Sequence, residues 1–254
     1  MKVVRTVAEL REALDPAAEI GLVPTMGAFH AGHHALFAAA RAENDVVVVS
    51  LFVNPAQFDS AADLVAYPRD EERDARMAEE AGADVLFAPA ADELYPLGYQ
   101  TWVDVEELSR DLEGAARPGH FRGVATVCCK LFNLVRPKRA YFGQKDAQQV
   151  AVVRRMVRDL NLDVEIRVLP TVRDPDGLAV SSRNVLLSPA DRERALALPR
   201  ALATRDPARA RELLDGVAVD YLEVADFEPR VLAGAIRVGR TRLIDNVVLE
   251  GDTE

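Results

Sequence analysis

"EIGLVPTMGAFHAGHHALFAAARAE", residues 19–43, joins an apolar run to a turn with two glycines and then to an alanine-rich helical pattern. A strand ending in Gly-Leu-Val that feeds a turn through Gly27 and Gly32, and then opens a helix at about His33, is the first step of an alternating β/α chain. Three of the four histidines, His30, His33 and His34, fall within five positions here. The unpaired N–H groups and dipole of a helix start favour an anion. His30-Ala31-Gly32-His33 adds two side chains able to donate to phosphate oxygens as charge develops on a leaving pyrophosphate. Open α/β sheets bind ligands outside the carboxyl ends of their strands, which is where this turn falls. A zinc site finds His30 and His34 at i, i+4 but neither an HExxH glutamate nor a third ligand, so no metal ligands are assigned.

The same texture continues outward. "DVVVVSLFV" (45–53), "DVLFAP" (84–89), "RAYFG" (139–143) and "DVEIRVL" (163–169) alternate with helical stretches such as "DEERDARMAEEAG", which ends at a C-cap glycine, Gly82. The alternation predicts a parallel sheet. In "VATVCCKLFNLVR" the residues Val124, Val127, Cys128, Leu131, Phe132 and Val135 recur at helical spacing, which makes Cys128 a small core hydrophobe rather than a reactive thiol. From about residue 188 the pattern changes to two helical stretches and the strand-like "VDYLEVAD", "GAIRVG" and "TRLIDNVVLE", with Gly239-Arg240 suited to a hairpin turn. The expected organisation is an α/β parallel-sheet domain over 1–187 and a small α+β domain over 188–254.

Composition narrows the function classes. A net charge of −10 argues against a chain that neutralises nucleic-acid phosphates, so any anionic ligand must meet a local basic pocket. The only cysteines, Cys128 and Cys129, are adjacent and cannot close a loop. The N-terminus shows no export signal, and the longest apolar run is far below the roughly 20 residues of a membrane-spanning helix. A soluble, cytoplasmic protein with neither a nucleic-acid nor a membrane partner is expected.

Other chemistry-bearing stretches also follow predicted strands. Asn54 and Gln57 in "SLFVNPAQFD" fall on the same carboxyl edge, where an amide can donate to and accept from a small substrate. "YFGQKDAQQV" places Lys145, Asp146 and Gln149 just beyond Gly143, which is read as bringing the backbone close. The lysine suits phosphates and Asp146 suits Mg²⁺ or a ribose. "DGLAVSSRN" sets Ser181 and Ser182 beside Arg183, a strong grip for a triphosphate. Arg117, His120 and Arg122 in "EGAARPGHFRGV" fit either a second basic patch or a surface connection.

Taken in order, "VPTMGAFHAGHHAL", "VVVSLFVNPAQF", "YPRD", "LEGAARPGHFRGV", "YFGQKDAQQ" and "PTVRDPDGLAVSSRN" resemble the pantothenate synthetase (pantoate–β-alanine ligase) family of the HxGH nucleotidyltransferase group. The resemblance is specific from about residue 20 to 190 and weaker through "TRLIDNVVLE". It implies a Rossmann-like domain with a C-terminal lid, a homodimer, and ATP with Mg²⁺. The implied reaction activates pantoate as pantoyl adenylate and then transfers the pantoyl group to β-alanine. Position by position, it implies an ATP segment of Met26, Gly27, Ala28, Phe29, His30, Ala31, Gly32 and His33, with His33 the proton donor and His30 beside it on the phosphates. Gly143, Gln144, Lys145, Asp146, Val172, Val180, Ser181, Ser182 and Arg183 complete the ATP site, with Lys145, Ser182 and Arg183 on phosphates. The same resemblance implies that Gln57 and Gln149 hold pantoate.

Three positions depart from the family pattern: Gln144 replaces the usual glutamate and so removes a carboxylate near the phosphates, Ala56 replaces methionine, and His34 replaces an aliphatic residue. The C-terminal part is also short, which implies a lid that shields the adenylate less fully from water. An HxGH adenylyltransferase acting on another small acceptor, moving AMP onto its phosphate, would keep the ATP residues but need extra cations at the acceptor, where the two glutamines stand. A class I tRNA synthetase fragment fits the acidic balance poorly. A non-catalytic nucleotide-binding module would be expected to lose Lys145 or the Ser-Ser-Arg run, and both are present.

Overall fold

The computed structural model describes residues 1–249, so positions 250–254 of the expected C-terminal domain lie outside the described residues. Two compact units are present. One comprises Met1–Phe142 with Val152–Leu169, and the other comprises Gly143–Ala151 with the described residues from Pro170 onward. Among the described residues no helix is long and apolar enough to cross a membrane.

The first unit is built on six strands: β1 (Lys2–Val4), β2 (Ile20–Thr25), β3 (Val46–Leu51), β4 (Val85–Phe87), β5 (Arg139–Gly143) and β6 (Glu165–Leu169). Their order is β1-β4-β3-β2-β5-β6, and the β1–β4, β4–β3, β3–β2 and β2–β5 pairs are parallel. From β2 the chain steps to one side for β3 and β4, then crosses to the other side for β5 and β6. The direction of winding therefore reverses between β2 and β5, which is where α/β sheets bind ligands at their carboxyl ends. The β2–β3 register runs from Ile20↔Val46 to Thr25↔Leu51, whereas β2 meets β5 at Gly21↔Arg139 and Leu22↔Ala140. Pro24, with no N–H to donate, stands beyond that shorter pairing. Burial explains the apolar runs: Val47, Val48 and Val49 are all fully buried, as expected for a strand covered on both faces.

Helices cover the sheet. Ala31–Glu43 buries Phe37 and Ala40, which join Val23, Val49, Leu86 and Tyr141 in one apolar cluster. Glu71–Glu80 starts at Asp70, whose side chain accepts the Arg73 N–H, and ends with Gly82 in the left-handed position expected of a C-cap glycine. His120–Val135 buries all six residues of the predicted stripe. Burial pushes the Cys128 thiol up to about 12, so it stays protonated and acts as a packing group.

The second unit contains β7 (Ala218–Ala225), β8 (Val231–Val238) and β9 (Thr241–Val248) in an antiparallel sheet, β7-β8-β9. Three helices, Pro189–Ala195, Ala197–Leu202 and Pro207–Leu213, pack on it through Leu198, Leu202, Leu222, Leu232 and Leu243. Ser188-Pro189 and Asp206-Pro207 set two of the helix starts, each with a side-chain cap followed by proline at the first helical position. Gly239 and Arg240 form the turn between the paired residues Val238 and Thr241. The sequence-derived boundary at 187/188 lies inside this unit. Polar side chains, rather than a change in composition, fasten the preceding segments to it. Arg173 pairs with Asp245 at 2.6 Å, and Arg192 pairs with Asp174 and Asp176 at 2.7 and 2.8 Å.

Candidate active site

The turn after β2 is held by its own side chains and by one distant carboxylate. Gly27 and Ala28 both have positive φ, +88° and +53°, which turns successive N–H groups inward. Asp74, 1% exposed on the helix Glu71–Glu80, accepts from the N–H groups of Ala28 and Phe29 at 2.7 and 2.8 Å. Arg73, its neighbour, donates to the Phe29 carbonyl at 3.2 Å. The helix opens at Ala31, two residues earlier than the sequence suggested. The reason is a cap built from histidines: His30 Nδ1 accepts the Gly32 N–H at 3.2 Å, and His33 Nδ1 accepts the His30 N–H at 3.3 Å. A ring nitrogen that accepts is unprotonated, so each neutral imidazole carries its proton on Nε2. The two rings lie 4.2 Å apart at the helix N-terminus, where helix dipole and donors both favour an anion. His34 is exposed on the same helix.

Gln57 is brought to this turn. It closes a short 3-10 turn, Pro55–Gln57, that Asn54 caps through the Ala56 N–H. Its amide donates to Met26 Sδ at 3.0 Å and accepts from Asn54 Nδ2 at 3.0 Å. Its backbone carbonyl accepts from His120 Nδ1 at 2.9 Å and from Arg117 at 3.3 Å. The Arg117–Arg122 stretch is thus a support for Gln57, and Arg122 lies over the Trp102 ring at 4.9 Å. Gly123 completes the support, because a Cβ there would collide with the Ala56 carbonyl and the Gln57 N–H. A cavity of 490 Å³ in this unit, lined by Arg5, Leu51, Glu71 and Asp92 among others, includes none of the predicted residues.

The other predicted residues belong to the second unit. Gly143 leads into a 3-10 turn, Gln144–Asp146, followed by the helix Ala147–Asp159, so Gln149 stands in a helical first turn rather than on a loop. Lys145 and Asp146 are half-buried. Gly143 corrects an expectation: its φ is −91° and a Cβ there would meet no described atom within 4 Å, so it brings no backbone close. The Gln144 amide is engaged with Asn246, donating to its Oδ1 at 3.1 Å. Val172 and Val180 face each other across a narrow loop, with the Val180 N–H on the Val172 carbonyl at 2.9 Å. Ser181 caps the 3-10 turn Ser182–Leu186 by accepting the Arg183 N–H at 3.2 Å. Arg183 is exposed. Among the described residues no three or more His, Cys, Asp or Glu side chains are grouped to hold a metal ion.

Sequence reasoning missed Asp74, Asn246 and Asp245. A sequence model of the pantoate-beta-alanine ligase family matches residues 2–248. The chain belongs to that family. Pantothenate synthetase from Heliobacterium modesticaldum is 52% identical over 280 aligned positions, covering 98% of this chain and all of the relative. Those 280 positions exceed the 254 residues of this chain, so the relative carries residues that this member of the family lacks. Pantothenate synthetase from Thermus thermophilus superposes with a TM-score of 0.93 at 48% identity, covering 98% of this chain and 99% of that one. Pantoate-beta-alanine ligase from Francisella tularensis, solved with beta-gamma ATP and beta-alanine, superposes with a TM-score of 0.87 at 35% identity, covering 98% and 97%. The α/β architecture with a Rossmann-like parallel sheet and a small C-terminal α+β part is therefore the fold of the pantoate-beta-alanine ligases.

Proposed function

We propose that this chain condenses (R)-pantoate with β-alanine at the expense of ATP, giving pantothenate, AMP and pyrophosphate. In the first step a pantoate carboxylate oxygen attacks the α-phosphorus and pyrophosphate leaves. In the second the β-alanine amine attacks the acyl carbon of pantoyl adenylate, AMP leaves and a proton is released. Both nucleophiles belong to substrates, so no enzyme-bound covalent intermediate is required, and the chain contributes position and charge.

The observation that carries this reading is the turn after β2, where a histidine-capped helix start held on Asp74 meets the Gln57 amide at Met26. It pairs a phosphate-binding element with a neutral hydrogen-bonding group suited to a hydroxy acid. Family membership and the Francisella complex with beta-gamma ATP and beta-alanine support the same reading.

Within this proposal Met26–His33 hold ATP, with His33, the proton donor of the family pattern, directing its Nε2–H as a hydrogen-bond donor to the phosphates and His30 beside it. Lys145, Ser182 and Arg183 take phosphate charge, Gly143–Asp146, Val172 and Val180–Arg183 line the nucleotide, and Gln57 and Gln149 orient pantoate. A Mg²⁺ ion fits a chain without a protein cage when ATP phosphates supply most of its ligands, with Asp146 as the carboxylate offered. Bound so, it would neutralise phosphate charge. Residues from 188 onward serve as the lid, two chains pair as a homodimer, and the enzyme works in the cytoplasm.

The test is exchange of labelled pyrophosphate into ATP. Exchange should require pantoate and proceed without β-alanine, and adding β-alanine should yield pantothenate. Exchange that ran equally well without pantoate would point to an adenylyltransferase acting on another acceptor, and exchange that needed β-alanine would refute the two-step order.

A further inference from the structure

Strand alternation places the neighbours Asp245 and Asn246 of β9 on opposite faces of the sheet; Asn246 engages Gln144 and Lys145, assigned above to ATP, and Asp245 engages the loop between Val172 and Val180. Asn246 is 4% exposed. Its Nδ2 donates to the carbonyls of Gln144 and Lys145, both at 2.9 Å, and its Oδ1 accepts from Gln144 Nε2 at 3.1 Å. Asp245, 3% exposed, takes both Arg173 guanidinium nitrogens at 2.6 and 3.0 Å, and Arg173 also donates to the Gly177 carbonyl at 3.1 Å. Asp245 Oδ1 accepts the Asn246 N–H at 2.8 Å, which links the two contacts.

These bonds have a direction that matters. A 3-10 turn of three residues has few internal hydrogen bonds, so its orientation depends on what holds its carbonyls. The amide of Asn246 supplies both donor hydrogens to two consecutive carbonyls, one of them belonging to Lys145. An aspartate of the same shape would present oxygen to oxygen there. The two carbonyls, which can only accept, fix the Asn246 flip, and Gln144 Nε2 meets the oxygen left on the other side.

We propose that Asn246 is a positioning residue for adenylation: through the Gln144–Lys145 carbonyls it sets the attitude in which Lys145 meets the phosphates. This rests on the ligase reading and adds a residue that never touches substrate. It also means that the strand nearest the C-terminus carries the phosphate grip, with Asp245 holding the Val172–Arg183 loop as Asn246 holds the Lys145 turn.

The experiment is pantoate-dependent pyrophosphate exchange in the full chain for wild type, Asn246→Ala, Lys145→Ala and the double variant, with ATP affinity by calorimetry and thermal melting alongside. Asn246→Ala should lower the exchange rate about tenfold with less than about a twofold change in ATP affinity. The double variant should be no slower than Lys145→Ala alone, because residues acting through one group are non-additive. A wild-type rate in Asn246→Ala, or losses that multiply in the double variant, would overturn the inference. If Asn246→Ala does not fold, Asn246→Ser, which keeps one donor for the two carbonyls, takes its place, with a rate loss and the same non-additivity expected and the same outcomes overturning it. A wild-type chain without exchange would refute the ligase reading itself before any substitution is compared.

Discussion

The carboxylate of Asp74 accepts the Phe29 N–H at 2.8 Å across 45 positions of sequence, with the Ala28 N–H on its other oxygen at 2.7 Å. Two consecutive N–H groups are thereby fixed by a buried anion at the start of the histidine turn. The carboxylate pairs the two N–H groups that follow Gly27 in this positive-φ turn, and N–H groups left unpaired in such a place are costly.

Replacing Asp74 with Asn should disturb this turn more than the change in size suggests. One amide oxygen remains to accept, while the amide N–H₂ faces a second backbone donor. Asp74→Asn is expected to lose about 1–3 kcal/mol of stability, the range for leaving a buried donor unsatisfied. Urea denaturation measures it, and pantoate-dependent exchange should fall with it because His30 and His33 follow the turn. An unchanged midpoint and rate would remove Asp74 from this role.

Gly123 gives an independent handle on the same site. A Cβ at that position meets the Ala56 carbonyl, so Gly123→Ala must push the helix His120–Val135 away from the Pro55–Gln57 turn. Overpacking of this kind typically costs about 1–3 kcal/mol. The expected signature is a lower melting temperature with a raised KM for pantoate and an unaltered ATP affinity. A raised ATP dissociation constant instead would place Gln57 in the nucleotide site.

The histidine turn, the core stripe of His120–Val135 and the two-part architecture were legible because each is written locally, in spacing or in a motif. Asp74 was not. It stands in "DEERDARMAEE", which reads as a solvated charged face, and the one signal was its place four residues before the buried Ala78, on the apolar side of the helix. The support from Arg117, His120 and Gly123 was equally hidden, because its partner is a backbone carbonyl, which no residue type announces. Asn246 lay in plain sight as a polar residue in "TRLIDNVVLE", but only long-range folding decides what a buried amide holds. The 187/188 boundary followed a change in composition, which carries no sign that residues 144, 145 and 173 hydrogen-bond to β9.

Acid sensitivity should trace in part to Glu43. The Arg167 guanidinium, at 3.0 and 3.1 Å, and the Tyr141 hydroxyl, at 2.9 Å, hold this carboxyl below its ordinary value of 4.5. A depressed folded pKa contributes stability that is present above the unfolded value and is lost as pH falls through the folded one. Glu43→Gln should therefore be less stable than wild type at pH 7, by no more than about 1 kcal/mol because the pair is partly exposed. As pH falls through the folded value of Glu43 the gap should close. Denaturant midpoints taken from pH 7 downward test this, and a gap that widened in acid would reverse the assignment.

Pantoate selectivity should rest on neutral amides. Pantoate offers a carboxylate and two hydroxyls, and an amide can donate and accept at once, so Gln57 can orient it without supplying a counter-charge. A lysine in its place would hold the carboxylate as an ion pair and blunt its attack on phosphorus. Gln57 is already oriented in the folded chain, by Asn54 on its oxygen and Met26 on its nitrogen. Gln57→Ala should therefore lower kcat/KM for pantoate by a factor of about ten to one hundred, the equivalent of one lost hydrogen bond with a partner left unpaired. The same loss is expected for Gln149→Ala. Adenylation kinetics with pantoate varied, beside calorimetric ATP affinity, separate the possibilities. Weakened ATP binding with an intact pantoate dependence in either variant would move that glutamine into the nucleotide site.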